Sequence, residues 1–262
     1  MTRAIILAAG QGTRLRPLTN DKPKCLLSLQ GKTLLSHQIN VLTFLGIKDI
    51  LVVGGYRANL IKKAGYNCIV NPLYESTNMV ETLFKGTQFI RSGGDLIISY
   101  GDIVYQSTNL SKVLACEDEI GLMVDFNWKR YWELRFNDPL SDAETLVMDS
   151  EGYILELGKK TCRYENVQGQ YTGLIKVRED KVNDFIDFYK LLDQKKTYDG
   201  KDFLQMYMTS FLQELIQGGW KIKAVPVENG WLEVDSVKDL QIYEKLFKED
   251  KLKSFFQLED EL

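Results

Sequence analysis

The sequence predicts an α/β fold in which a mostly parallel sheet is flanked by helices and carries an antiparallel β extension. Three observations predict it. Short apolar runs alternate with helix-length amphipathic segments through the first hundred residues, the rhythm of repeated βα units. Those runs are continuously apolar, as strands are when both faces of a sheet are covered. Beyond about residue 120 the strands crowd together with no helix between them, as antiparallel neighbours do.

Residues 4–9 read as the first strand and 33–45 as the first helix. Strands at 50–53 and 68–70, a helix at 78–91 and a strand at 96–100 continue the series. The crowded strands fall at 120–126, 144–149, 153–158 and 170–177, and a polar loop bearing aromatic residues runs from Asn127 to Ala143. Asp149-Ser150-Glu151-Gly152 places glycine where a hairpin turn needs positive φ. Helices resume at 179–194 and 201–217, then a strand pair at 222–227 and 231–234 precedes a helix from Ser236. The charged stretch 248–262 is expected to fray. The prediction is one domain, 1–262, with its core at about 1–118 and 178–247 and the extension at about 119–177. No internal repeat is present.

A chain of 262 residues with 44% apolar and 26% charged residues can bury a sizeable core. Its net charge of −3 gives no global reason to expect nucleic acid or an anionic membrane as partner. Cys25, Cys68, Cys116 and Cys162 form no C-x-x-C pair and read as reduced thiols. The apolar run Ala4–Ala9 behind Arg3 is too short for a signal peptide, and no stretch approaches the roughly 20 apolar residues of a membrane span. A soluble, cytoplasmic protein is expected. The oligomeric state, a homodimer included, stays open.

The strongest local signal is Leu7-Ala8-Ala9-Gly10-Gln11-Gly12-Thr13-Arg14-Leu15-Arg16-Pro17-Leu18-Thr19, followed by Lys22-Pro23-Lys24. A buried strand runs into a loop whose glycines let backbone N–H groups approach a phosphate without Cβ obstruction. Arg14 offers a planar, permanent cation for phosphate oxygens and Lys24 a compact one. The P-loop pattern G-x-x-x-x-G-K-[ST] is absent, and the dinucleotide fingerprint fails because Leu15 stands at its third glycine.

This run resembles the signature of the nucleotidyltransferase superfamily that activates sugar phosphates and phosphocholine. The resemblance implies a Rossmann-like domain whose glycine loop wraps a nucleoside triphosphate. It implies nucleotide contacts at Leu7, Ala8, Ala9, Gly10, Gly12 and Thr13, with Arg14 on the β/γ-phosphates and Lys24 on the reacting phosphates. Cys25 follows the lysine where relatives carry a small or rigid residue, and reads as a packed thiol.

Transfer to a phosphate needs a divalent cation, because both reactants are anionic, and magnesium is expected. Asp102 ends the strand 96–100, at the edge where open α/β sheets bind ligands. The resemblance gives Asp102 a metal and matches Trp231-Leu232-Glu233-Val234-Asp235-Ser236 to a segment whose Asp, here Asp235, shares it. Asp235-Ser236 is also good N-cap chemistry. No general base is required, since a phosphate monoester has a second pKa of about 6, so His37 within the first helix reads as structural.

Gly55, Tyr56 and Asn78 lie in stretches that resemble the family's base-reading segments. The run Asn71 to Asn78 resembles the phosphocholine and phosphonate cytidylyltransferase branch in particular, which makes CTP the expected donor. Where sugar-activating relatives carry E-K-P, this chain has Gly158-Lys159-Lys160. The lysine that meets the acceptor phosphate is then Lys159 or Lys160, and a hexose phosphate is disfavoured. Trp128, Tyr131, Trp132 and Glu133 are placed to surround an amino or quaternary ammonium group, with Tyr131, Trp132 and Lys159 taken as acceptor contacts beside Lys24. Glu144 and residues 168–172 fall on the rim with no role assigned. The expected activity joins CTP to a small phosphorylated amine, amino acid or phosphonate. A guanylyl- or uridylyltransferase for a sugar 1-phosphate and a non-catalytic regulatory subunit are the alternatives.

Overall fold

The computed structural model describes residues 2–91 and 93–258. Strand β1 (Arg3–Ala8) leads through the glycine loop to a small hairpin, β2 (Ser28–Leu29) and β3 (Lys32–Thr33), and to helix α1 (Leu34–Phe44). Then come β4 (Asp49–Gly54), α2 (Ala58–Lys63), β5 (Cys68–Val70), α3 (Met79–Lys85) and the single turn α4 (Thr87–Ile90). β6 (Leu96–Tyr100), β7 (Ile103–Tyr105), α5 (Ser107–Leu114), β8 (Ile120–Asp125) and α6 (Trp128–Arg135) follow. β9 (Glu144–Met148), β10 (Ile154–Lys160) and β11 (Gln170–Val177) precede α7 (Val182–Leu191) and α8 (Met208–Gln217). β12 (Ile222–Val227), β13 (Trp231–Glu233) and α9 (Val237–Lys248) complete the order.

Seven strands form the central sheet in the order β12-β8-β11-β6-β1-β4-β5. β1 is parallel to both β4 and β6, and β11 alone runs antiparallel to its neighbours β6 and β8. The two-residue period of a strand divides β1 between two cores. Ala4, Ile6 and Ala8 face a cluster with Leu34, Leu110, Tyr131 and Tyr243, whereas Ile5 and Leu7 face Val80, Phe185 and Phe211. This two-sided burial explains the unbroken apolar run. Among the described residues no helix is long and apolar enough to cross a membrane.

Four expectations change. β8 and β11 belong to the central sheet, so the separate extension shrinks from 119–177 to the β9–β10 hairpin and the segments around it. The 127–143 segment is no loop: Trp128, Tyr131, Trp132 and Arg135 recur at i, i+3, i+4 and i+7 and are the buried face of α6. The strands at 222–227 and 231–234 do not pair with each other. β12 takes the edge of the main sheet beside β8, and β13 pairs antiparallel with β7. Finally, Leu252 and Phe256 are buried, and Gly230 N–H donates to the Phe255 carbonyl at 2.7 Å, so the stretch after α9 is packed. Residues 259–262 of the segment expected to fray lie outside the described residues.

Candidate active site

The glycine loop leaves the carboxyl end of β1 and is held at several points. Gly12 has φ +62°, and a Cβ there would stand 3.2 Å from atoms of Lys24 and Thr19. A side chain at this position would strain the backbone and press on the lysine. The Thr19 hydroxyl donates to the Gly12 carbonyl at 2.7 Å and closes the loop. From below, Gly101 N–H donates to the Leu7 carbonyl at 2.9 Å and Tyr56 N–H to the Ala9 carbonyl at 3.0 Å. Gly55 packs so close to Ala9 that a Cβ would fall 2.7 Å from its carbonyl oxygen, and the Tyr56 hydroxyl donates to Asn20 at 2.6 Å. Gly55 and Tyr56 therefore brace the loop and do not line the cavities beside it.

The pairing of β13 with β7 brings the carboxylates together. Glu233 stands opposite Ile103, and Val234 N–H donates to the Asp102 carbonyl at 2.9 Å. Because side chains alternate along a strand, Glu233 and Asp235 point the same way, toward Asp102. One carboxylate oxygen from each of the three lies within 4.8 Å of the others. The cap reading of Asp235 does not hold: Ser236 is the N-cap of α9 and forms a capping box with Asp239. Lys24 Nζ lies between the acids, 2.7 Å from Asp102 Oδ2 and 2.9 Å from Asp235 Oδ1. Burial opposes its charge, but the three carboxylates hold its pKa above the ordinary lysine value. Arg14 reaches Asp235 from the solvent side at 2.7 Å.

These residues fit a divalent cation. All three donors are hard carboxylate oxygens, and Asp102 Oδ1 is buried without a hydrogen-bond partner. Burial pushes the Glu233 carboxyl up, with Asp102 and Asp235 acting in the same direction against Arg135 and Lys24. A bound cation would relieve that crowding of negative charge.

Two cavities meet at this cluster. The first is lined by Leu7, Ala8, Ala9, Gly10, Lys24, Asn78 and Asp102, together with Tyr74, Thr77 and Thr82. The Asn78 side chain also caps α3, accepting from Met79 N–H at 2.8 Å. Asn71, fully buried, donates to the hydroxyls of Thr77 and Thr82 at 2.9 and 3.0 Å and so fixes this wall. Cys25 lies beside Lys24 in the lining and is buried, its thiol pushed up to about 12 by burial, as a packed thiol should be. His37 is likewise structural, its Nε2 2.8 Å from the Leu29 carbonyl oxygen.

The second cavity holds about 260 Å³ and is lined by Arg14, Trp132, Asp142, Glu144, Lys160, Glu233 and Asp235 among others. Two expected acceptor contacts are corrected here. Tyr131 is 1% exposed; its hydroxyl meets Tyr243 at 2.6 Å and accepts from Glu233 N–H at 2.8 Å. It supports the strand that carries Glu233 from inside the core. Lys159 pairs with Glu156 at 2.8 Å on the surface. Lys160 lines the cavity instead, because an extra residue between Leu157 and Lys160 makes a bulge at Gly158, φ +85°. Such a bulge re-aims the side chains that follow it. Trp132 does reach the cavity, with Nε1 donating to Asp142 at 3.1 Å.

Sequence reasoning missed Glu233 as a third carboxylate, although its i, i+2 relation to Asp235 on a short strand was a usable signal. It also missed Arg135, whose buried guanidinium donates to Glu233 at 2.7 Å and to Asp239 at 3.1 Å.

Comparison with known proteins agrees with this architecture. The MobA-like NTP transferase domain profile matches residues 4–128. The CTP:phosphoglutamine cytidylyltransferase of Campylobacter jejuni is 43% identical over 248 residues, 91% of this chain and 98% of that protein. The choline-phosphate cytidylyltransferase of Streptococcus pneumoniae is 26% identical over 95% of this chain and 99% of its own. The solved inositol-1-phosphate CTP transferase from T. maritima shares the fold, with a TM-score of 0.70 at 22% identity and 98% coverage of both chains. The chain belongs to the nucleotidyltransferase superfamily, in its cytidylyltransferase-like branch, and it is an enzyme.

Proposed function

We propose that this enzyme transfers the cytidylyl group of CTP to the phosphate or phosphonate of a small nitrogen-bearing metabolite and releases pyrophosphate, with magnesium as the metal. The observation that carries the reading is the cluster of Asp102, Glu233 and Asp235 where two cavities meet, bridged by Lys24. One cavity abuts the glycine loop and suits a nucleotide; the other suits an acceptor. The near full-length relatives that act on phosphoglutamine and choline phosphate support the donor and the acceptor class.

In the reaction an acceptor phosphate oxygen forms a bond to the α-phosphorus while the bond to the β-bridging oxygen breaks. No proton has to leave the acceptor. Magnesium, held by Asp102, Glu233 and Asp235, would neutralise phosphate charge as a Lewis acid. The backbone after Ala9 cradles the triphosphate, Lys24 follows the reacting phosphates, and Lys160 draws the acceptor's anionic end. Alignment and charge neutralisation then supply the catalysis, which is why a chain with one histidine suffices.

Pyrophosphate release from each of the four nucleoside triphosphates, with a panel of phosphorylated amines, amino acids, phosphonates and sugars, tests the reading. CTP with a nitrogen-bearing acceptor is expected to give the highest kcat/KM. Preference for GTP or UTP with a sugar 1-phosphate would overturn it. The two cations should separate in steady-state kinetics. Arg14→Ala removes an exposed side chain suited to the β/γ end and should chiefly raise the CTP KM. Lys24→Ala removes a buried cation near the reacting phosphates and should chiefly lower kcat, by about 10²-fold or more. The opposite division would exchange these assignments.

A further inference from the structure

Phosphate transfer makes no use of Glu144, although several contacts fix its place. The Gln170 side chain brackets the residue, accepting from the Glu144 backbone N–H at 3.2 Å and donating to its carbonyl at 2.6 Å. Glu144 lines the second cavity. Lys160 stands directly opposite it in the β9–β10 register and lines the same cavity. Among the described residues neither charged group closes an ion pair, with the other or with a third. Burial pushes the Glu144 carboxyl up to about 7, opposed by Lys160 and reinforced by Asp142, Asp199 and Glu233.

We propose that Glu144 receives the ammonium group of the acceptor, which makes the acceptor a phosphorylated primary amine or amino acid whose anionic end lies toward Lys160. This rests on the cytidylyltransferase reading and narrows it. A sugar or polyol phosphate brings no cation to this wall. A quaternary ammonium brings charge but no N–H to donate to a carboxylate, and Tyr131, one of the rings expected to hold it, is buried in the core.

The test compares acceptors that differ only at the nitrogen, with CTP saturating. Phosphoethanolamine and O-phosphoserine are set against their analogues without the amino group, ethyl phosphate and 3-phosphooxypropanoate. Phosphocholine serves as the quaternary probe. The wild-type enzyme should favour the better amine over its analogue by about tenfold or more in kcat/KM. Glu144→Gln should bring the two close to equal with the CTP KM unchanged. Glu144→Lys should prefer phosphoglycolate, whose carboxylate takes the ammonium's place, an inversion that a merely structural role would not produce. An amine preference that survives in both variants overturns the assignment of Glu144, as does a wild-type preference for phosphocholine. Absence of turnover from CTP with every phosphorylated amine and amino acid, alongside turnover of GTP or UTP with a sugar 1-phosphate, overturns the cytidylyltransferase reading itself.

Discussion

Asp102→Asn and Asp235→Asn are each expected to fold and to lose turnover by about 10²- to 10⁴-fold at fixed magnesium. Metal neutralisation of phosphate charge contributes several kcal/mol to such a transition state, and about 1.4 kcal/mol corresponds to tenfold in rate. In the proposed metal site, each substitution replaces a full anionic ligand by a neutral amide among three clustered carboxylates. Folding should survive because neither residue caps a helix and both face the cleft; Ser236 holds the α9 terminus. Isothermal titration with Mn²⁺ should show weakened binding in both variants, which separates loss of metal from damage elsewhere. A variant that keeps near-native, magnesium-dependent pyrophosphate release would remove its residue from the metal site.

Arg135→Ala should have the largest effect on stability. Arg135 is 3% exposed, and its guanidinium joins Glu233 and Asp239 and lies near the rings of Tyr131, Trp132 and Phe136. Burial works against its charge, but Glu233, with further support from Asp239, holds its pKa above the usual arginine value. Asp239 in turn is held below the usual carboxylate range by Arg135 and by the N–H groups of Asp235 and Ser236, despite its burial. Truncation leaves two carboxylates without their cation, which costs about 3–5 kcal/mol when one partner of a buried pair is removed. For a chain of this size that corresponds to a fall of roughly 10 °C in melting temperature. Arg135→Lys keeps one charge but cannot bridge both acids, and should fall between. A melting temperature for Arg135→Ala within about 2 °C of wild type would show that the network contributes little.

The sequence made the nucleotide side of the site legible because that side is built from contiguous residues. The run Leu7 to Lys24 carries its own glycines and cations, and Asp102 sits at a strand end where ligands gather. What escaped was set by tertiary context. Trp128, Tyr131, Trp132 and Arg135 have helical spacing in eight residues, yet the polar residues among them read as a loop; packing against α9 and β13 decided the outcome. Lys159 and Lys160 could not be told apart from sequence, since a one-residue bulge exchanges their faces. Pairing of β13 with β7, 128 residues earlier in register at Leu232 and Val104, leaves no local trace at all.

That last pairing gives the enzyme a built-in order of assembly. Lys24 lies between β1 and β2 and Asp102 between β6 and β7, whereas Glu233 and Asp235 arrive only at the end of β13 and just after it. A nascent chain that has emerged from the ribosome only as far as β12 still lacks two of the three carboxylates of the proposed metal cluster. Proteolytic fragments or prematurely terminated chains ending before residue 231 would be inert for the same reason, while a complementing peptide spanning β13 and α9 would be the piece that restores chemistry.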